Sequence, residues 1–264
     1  MHMADALLTP AVAGVMYAAS AVVAGASIVE LHKEEKQDLT STGKKLPTMA
    51  VMSALVFAGQ MINYTIPGTG SSGHLCGGLL LTSVLGPWAG FLSMIVILTI
   101  QSLFFADGGL MALGANVWNM AFYGCFVGYF LIYRPLMRSR CFARRGERAA
   151  NRLKITLASV LGCVLTLQLG AFSVVLETTL SGITDLPFGA FCAIMQPIHL
   201  AIGLIEGLIT AAVLLFLYEA RPELLRDVCT GGETAGKVSF KGTIAVIAIA
   251  AVLVGGGLSL LASG

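Results

Sequence analysis

What most constrains this chain is a series of apolar runs, most of them close to the ~20 residues that a helix needs to cross the hydrocarbon core of a bilayer. They cover residues 8–29, 48–66, 87–105, 112–133, 154–180, 188–218 and 242–261, and a shorter run, 74–85, sits between Gly73 and Gly86-Pro87. Composition agrees: 56% of the 264 residues are hydrophobic and 11% charged, with a mean hydropathy of +0.86. Soluble domains carry about 25% charge. The chain is predicted to be an all-α integral membrane protein, a polytopic helix bundle. Its 31 glycines suit helices that pack closely in lipid, with Gly14/Ala18 and Ala21/Gly25 as examples in the first run.

Charge sets the order of the crossings. Every Lys and Arg falls in one of three loops: Lys33, Lys36, Lys44 and Lys45; Arg134 through Lys154; and Arg221 through Lys241. The positive-inside rule puts all three on the cytoplasmic side. With the N-terminus outside, this requires 74–85 and 87–105 to cross separately, because one long helix kinked at LGPW would leave the cluster of Arg134 to Lys154 outside. The expectation is eight spans in a plasma membrane, both termini outside: a membrane domain over 1–218, then a basic loop and an extra C-terminal span over 219–264. The outer face carries Asp5, Asp107 and Asp185 and no basic side chain, which gives only a modest attraction for cations. The basic residues are confined to loops, and no nucleic-acid partner is expected. The six cysteines, Cys76, Cys125, Cys141, Cys163, Cys192 and Cys229, show no CxxC and no zinc-like spacing, and read as small packing residues.

The chain opens MHMADALL, and no Lys or Arg precedes Lys33, so the basic start of a secretory signal is missing. This end is expected to belong to the mature protein.

The loop PGTGSSGHLCGG offers three motifs. Gly68 to Gly73 fits GxGxxG, but it follows a membrane helix and no βαβ unit is present. The same residues run one lysine short of a phosphate-binding Walker loop, so ATP-driven work falls to a partner. Gly70-Ser71-Ser72-Gly73 could present Ser72 as the nucleophile of an intramembrane protease with His199 as base. Against this, His199 lies about a dozen residues into its span, roughly 18 Å of helical rise from the loop end.

The histidines are more informative. There are four, His2, His32, His74 and His199, and the topology puts His2 and His74 on one outer face while His32 lies among cytoplasmic charges. His2 is too large for the usual removal of the initiator Met, so a free Met1 amine is expected. A divalent ion can take that amine, the deprotonated His2 amide nitrogen and the His2 imidazole, closing a five-membered and a six-membered ring. One in-plane position is left for the imidazole of His74. A planar set of four nitrogens suits Ni(II) or Cu(II), whereas zinc prefers tetrahedral ligands; cobalt is also admissible. Since the nitrogens must give up protons, binding weakens in acid.

MHMADALL, QMINYTIPGTGSSGHLCGGLLLTSVLGPWAGF and FADGGLMALGANVWNM resemble the nickel/cobalt substrate-binding membrane components of energy-coupling-factor transporters, the CbiM/NikM family. The resemblance covers roughly residues 1–218 and is most specific at the Met-His start and the SGH loop. It implies a helix bundle that captures the metal at its outer face through Met1, His2 and His74, with Ni2+ or Co2+ as transported substrate and no organic cofactor. It further implies a membrane coupling subunit, two cytoplasmic ATPases and room for a small accessory membrane subunit, with no enzymatic activity in this chain. Ala6 stands where the family often has glycine, and residues 219–264 extend beyond the usual core. A stand-alone metal channel or secondary transporter is the remaining class.

Polar side chains inside apolar spans are costly and point to function. Gln60 and Asn63 precede the SGH loop, and Asn116 and Asn119 follow FADGG. With Asp5 and Ser72 they are candidates to orient the N-terminal segment or His74 by hydrogen bonding. Gln101, Glu177, His199 and Glu206 lie deeper. His199 and Glu206, seven apart, share a helix face and form a candidate deep polar cluster, for which packing is the simpler role.

Overall fold

The structure is a computed structural model that describes residues 1–37, 42–139, 142 and 146–227. A single 3-10 turn, Asp5–Leu7, leads into helix α1, Pro10–Gln37, with proline at the first helical position, where its missing N–H costs nothing. Helix α2, Thr42–Gln60, is followed by two short strands, β1 (Tyr64–Ile66) and β2 (Ser71–Gly73). Then come α3 (Gly78–Leu85), α4 (Pro87–Phe104), a continuous helix α5 (Leu113–Arg138) that is π-helical over Val117–Tyr133, α6 (Glu147–Ser181) and α7 (Phe188–Ala220). Five of these helices, α1, α4, α5, α6 and α7, are long and apolar enough to cross a membrane. The eighth span expected at 242–261 lies outside the described residues, as do Cys141 and Cys229.

Two expectations are corrected. The mostly helical bundle carries a short hairpin where the run at 48–66 was expected to stay in its span: β1 and β2 pair antiparallel, Tyr64 opposite Gly73 and Ile66 opposite Ser71, and Met3 forms an isolated bridge to Ser71. The apolar run at 48–66 therefore ends its helix at Gln60, because the tail Tyr64-Thr65-Ile66 is aromatic and β-branched and runs into Pro67-Gly68. Gly14 and Gly25 have no neighbour within 4 Å of where a side chain would begin. The close backbone approaches lie elsewhere. A Cβ at Gly203 or Gly207 of α7 would come within 2.9 Å or 2.6 Å of the Cα of Val164 or Val160 in α6. This small-residue repeat at i, i+4 is what lets two helices meet without side chains between them.

At Gly86-Pro87 the chain reverses. Gly86 has φ +88°, which favours glycine, and a Cβ at Gly90 would stand 2.8 Å from Oγ1 of Thr82, so α3 and α4 lie side by side in opposite directions. Residues 74–85 and 87–105 are thus separate segments. Helix α3 alone rises only about 12 Å. The described basic residues of the three loops that form ion pairs share one end of the bundle. Lys45 pairs with Glu34 at 2.9 Å, Arg226 approaches Glu34 at 3.8 Å, Arg138 binds Asp227 at 2.5 Å, and Arg148 pairs with Glu219. The 1–218 boundary falls inside α7, and residues 222–227 fold back onto the bundle, with Leu225 buried.

Candidate metal centre

At the end of the bundle away from those ion pairs, the first three residues run along the edge of β2. The Met1 amine donates to the Ser72 carbonyl, the Ser72 N–H donates to the His2 carbonyl at 3.2 Å, and Met3 bridges to Ser71. Met1, His2 and Met3 are each at most 3% exposed. The Met1 side chain fills the space beside Gly170 of α6, where a Cβ would meet its sulfur at 2.7 Å.

Asn116, at the start of α5, holds the segment from the other side. Its Oδ1 accepts from the Met3 N–H at 2.8 Å and its Nδ2 donates to the Met3 carbonyl at 3.2 Å, so one side-chain amide pairs with both backbone polar groups of a buried residue. The Asp5 carboxylate accepts from the Ala112 N–H at 3.0 Å and fixes the turn that follows, while Ala6 is exposed and keeps a negative φ. Asn119 donates to Glu177 at 2.8 Å and lies 3.7 Å from the Met3 sulfur.

His74 follows β2 directly and is buried. Its Nδ1 faces the Leu75 carbonyl at 2.7 Å, the bond that a protonated Nδ1 makes, which leaves the lone pair on Nε2; that atom is buried without a hydrogen-bond partner. The rings of His2 and His74 lie with centroids 4.5 Å apart at a 33° tilt. The His2 Nδ1 is 3.1 Å from Oδ1 of Asp107, and Asn63 donates to the other oxygen of that carboxylate at 2.7 Å.

Burial governs the charges. It pushes the Met1 amine down to about 6, against the pull of nearby acids, so that at neutral pH most of it is free base. Burial also lowers His2, although Asp107 works in the opposite direction. For Asp107, burial acts to raise the carboxyl, but the contacts from His2 and Asn63 prevail and hold it below the usual carboxylate range. Among the described residues no three His, Cys, Asp or Glu side chains form a ready cage. What converges is an amine, the intervening His2 peptide and two imidazoles.

The other candidates act at a remove. Gln60 donates to the Cys76 carbonyl at 2.5 Å and accepts from Gln101 at 2.9 Å. His199 and Glu206 share a face but not a bond: His199 Nδ1 faces the Met195 carbonyl at 2.8 Å, and Glu206 accepts from the Cys76 and Gly77 N–H groups at 2.6 Å and 2.9 Å. Ser72 Oγ and His199 Nε2 are both buried without hydrogen-bond partners, so they do not form the nucleophile–base pair that a protease would need. Asp107 was legible in the sequence only as an outer acid. The glycines after it, Gly108 and Gly109, were the available signal, since a Cβ at Gly108 would come within 3.2 Å of the His2 ring and one at Gly109 would collide with Asp5.

The chain and its fold have counterparts among known proteins. The family described as the cobalt uptake substrate-specific transmembrane region, CbiM, matches residues 2–224. A fused NikMN relative in Archaeoglobus fulgidus, named for nickel transport, is 39% identical over 237 residues, 89% of this chain and 71% of that one. The cobalt transport protein CbiM of Sorangium cellulosum is 33% identical over 181 residues, covering 68% and 76%. A crystal structure described as a truncated transition metal transporter superposes with a TM-score of 0.70 at 31% identity, over 83% of this chain and 99% of that one. The chain belongs to the CbiM family and is a cobalt/nickel uptake transmembrane component of the CbiM/NikM type.

Proposed function

We propose that this chain is the ion-capture subunit of an energy-coupling-factor uptake system, and that it takes Ni2+ or Co2+ as transported substrate through the Met1 amine, the His2 amide nitrogen, His2 Nδ1 and His74 Nε2. The observation that carries the reading is the burial of a largely unprotonated amine beside two imidazole rings, both of which have Nε2 buried without a hydrogen-bond partner. Closing the six-membered ring requires Nδ1 of His2, so the ion takes the place that the Asp107 contact now fills. Asn116, Asp5 and Asn63 hold the chelating segment and its carboxylate neighbour in place, so that little ordering remains to be done when the ion arrives.

In this reading the Met1 end faces the outside of a plasma membrane and the ion-paired basic end faces the cytoplasm, following the positive-inside rule. A membrane coupling subunit and two ATPases supply the energy, with a small accessory subunit as a further partner. The experiment is an N-terminal extension by one residue, or acetylation of the amine, followed by nickel titration. Loss of tight binding is expected, and unchanged affinity would sink the chelate. Metal flux into liposomes holding this chain alone would instead favour an uncoupled channel.

A further inference from the structure

The loop that carries His74 lies along one face of α7. Met195, His199, Ile202 and Glu206, spaced four, three and four apart, are all buried on that face. Ser71 Oγ contacts the Met195 sulfur at 3.5 Å, a Cβ at Gly73 would stand 3.1 Å from Ile202, and Glu206 takes the N–H groups of Cys76 and Gly77 on its two oxygens. These two N–H groups immediately precede α3. The other end of α3 is held by the same part of the chain. Arg226, six residues past the end of α7, donates its backbone N–H to the Ser83 carbonyl at 2.9 Å and its guanidinium to the Leu85 carbonyl at 3.3 Å. A carboxylate thus sits at the N-terminal end of the short helix and a cation at its C-terminal end, the sense that the helix dipole favours at both.

We propose that Glu206 is a positioning residue for His74, and that α7 with its 222–227 tail carries His74 to and from the ion. The proposal rests on the reading of Met1, His2 and His74 as ligands. Helix α3 is a strut about 12 Å long that packs along α4 and α5 and is tied at each end to α7 or its tail, so a shift of α7 and the tail pulls on both of its ends. A displacement at the basic end, where Arg226 and Asp227 are anchored, is delivered to the loop that holds His74. Binding is tight while the grip is set, and the ion is released when His74 is drawn out of the plane.

The test uses the purified full-length chain loaded with Cu(II) as a visible-band probe and with Ni(II) for release to a competing chelator. His74→Ala serves as the reference: replacing an imidazole nitrogen by water weakens the in-plane field and moves the Cu(II) band to longer wavelength. Glu206→Gln, close in size but lacking the second acceptor, is expected to move the band toward that reference and to release Ni(II) about ten- to a hundredfold faster. Arg226→Ala, at the far end of α3 and in contact with no ligand, is expected to keep the four-nitrogen band but to release Ni(II) faster in the same way. A merely structural role would lower the yield of folded protein and leave band and rate unchanged. If His74→Ala shifts the band while Glu206→Gln and Arg226→Ala match wild type in band and rate, the positioning role is overturned and the ligand reading stands. If His74→Ala leaves the band unmoved, the ligand reading falls, and this proposal with it.

Discussion

The His2 and His74 rings face each other 4.5 Å apart, although one belongs to the second residue of the chain and the other to the loop after the only hairpin among the described residues. Their meeting depends on the first three residues lying along β2, which in turn depends on Asn116.

Asn116 bonds to both backbone polar groups of Met3 through one side-chain amide. Asn116→Leu is expected to weaken nickel binding about ten- to a hundredfold. The loss should exceed that for Asn119→Leu, because the Asn119 amide meets the segment at the Met3 sulfur and not at its backbone. Parallel calorimetric titrations of the two variants decide it.

The pH dependence follows from the amine. A group whose value is lowered to about 6 is already deprotonated at neutral pH, and His2 is lowered as well, so above pH 7 the ion displaces mainly the amide proton. The affinity should then rise by about one decade per pH unit, and the slope should steepen below pH 6, where amine and imidazole protons must also leave. Proton release measured in buffers of different ionisation enthalpy reads this directly; a constant slope from pH 5 to 8 contradicts it.

Asp107 contacts His2, and Asn63 donates to Asp107; in the proposed chelate the carboxylate would orient the segment without being a ligand. Asp107→Ala is expected to cost about tenfold or more in affinity, and Asn63→Ala less, since it leaves the carboxylate present. Equal losses in competition assays would show that Asn63 has a separate role.

Gly108 has φ +86°, and a methyl group there would press on Asn116 Nδ2 at 2.9 Å and on the His2 ring. Gly108→Ala is expected to cost about 1–2 kcal/mol from the left-handed backbone alone, with nickel binding reduced further by the displaced ring. Thermal unfolding of the apo and nickel-loaded variant separates the two effects: the apo form loses a few degrees and the nickel-induced gain shrinks.

Much of this was legible in the residues themselves. The runs near 20 residues located the long helices; grouping Lys and Arg into three loops required 74–85 and 87–105 to cross separately, and the structure shows the chain reversing between them, with Thr82 packed on Gly90. The family, too, was readable from the Met-His start and the SGH loop, and the profile match over residues 2–224 shows it. The hairpin was not legible, because Tyr64-Thr65-Ile66 is as apolar as the helix before it and hydropathy does not register which backbone groups find partners. The glycine pairs in α1 were misleading for a related reason: spacing shows that two helices could approach, and only the neighbours show whether they do.

The sequence by itself determined the bundle class, the order of its long segments, and a short list of candidate nitrogen donors, since hydropathy and the rarity of histidine are local properties. The tertiary structure decided what the donors rest on: Asn116 on Met3, Asp107 on His2, and Glu206 on the amides after His74. Each of these joins residues far apart in the chain, and a buried polar group is matched to its partner only when the helices pack, because only then is water excluded and the partner made obligatory.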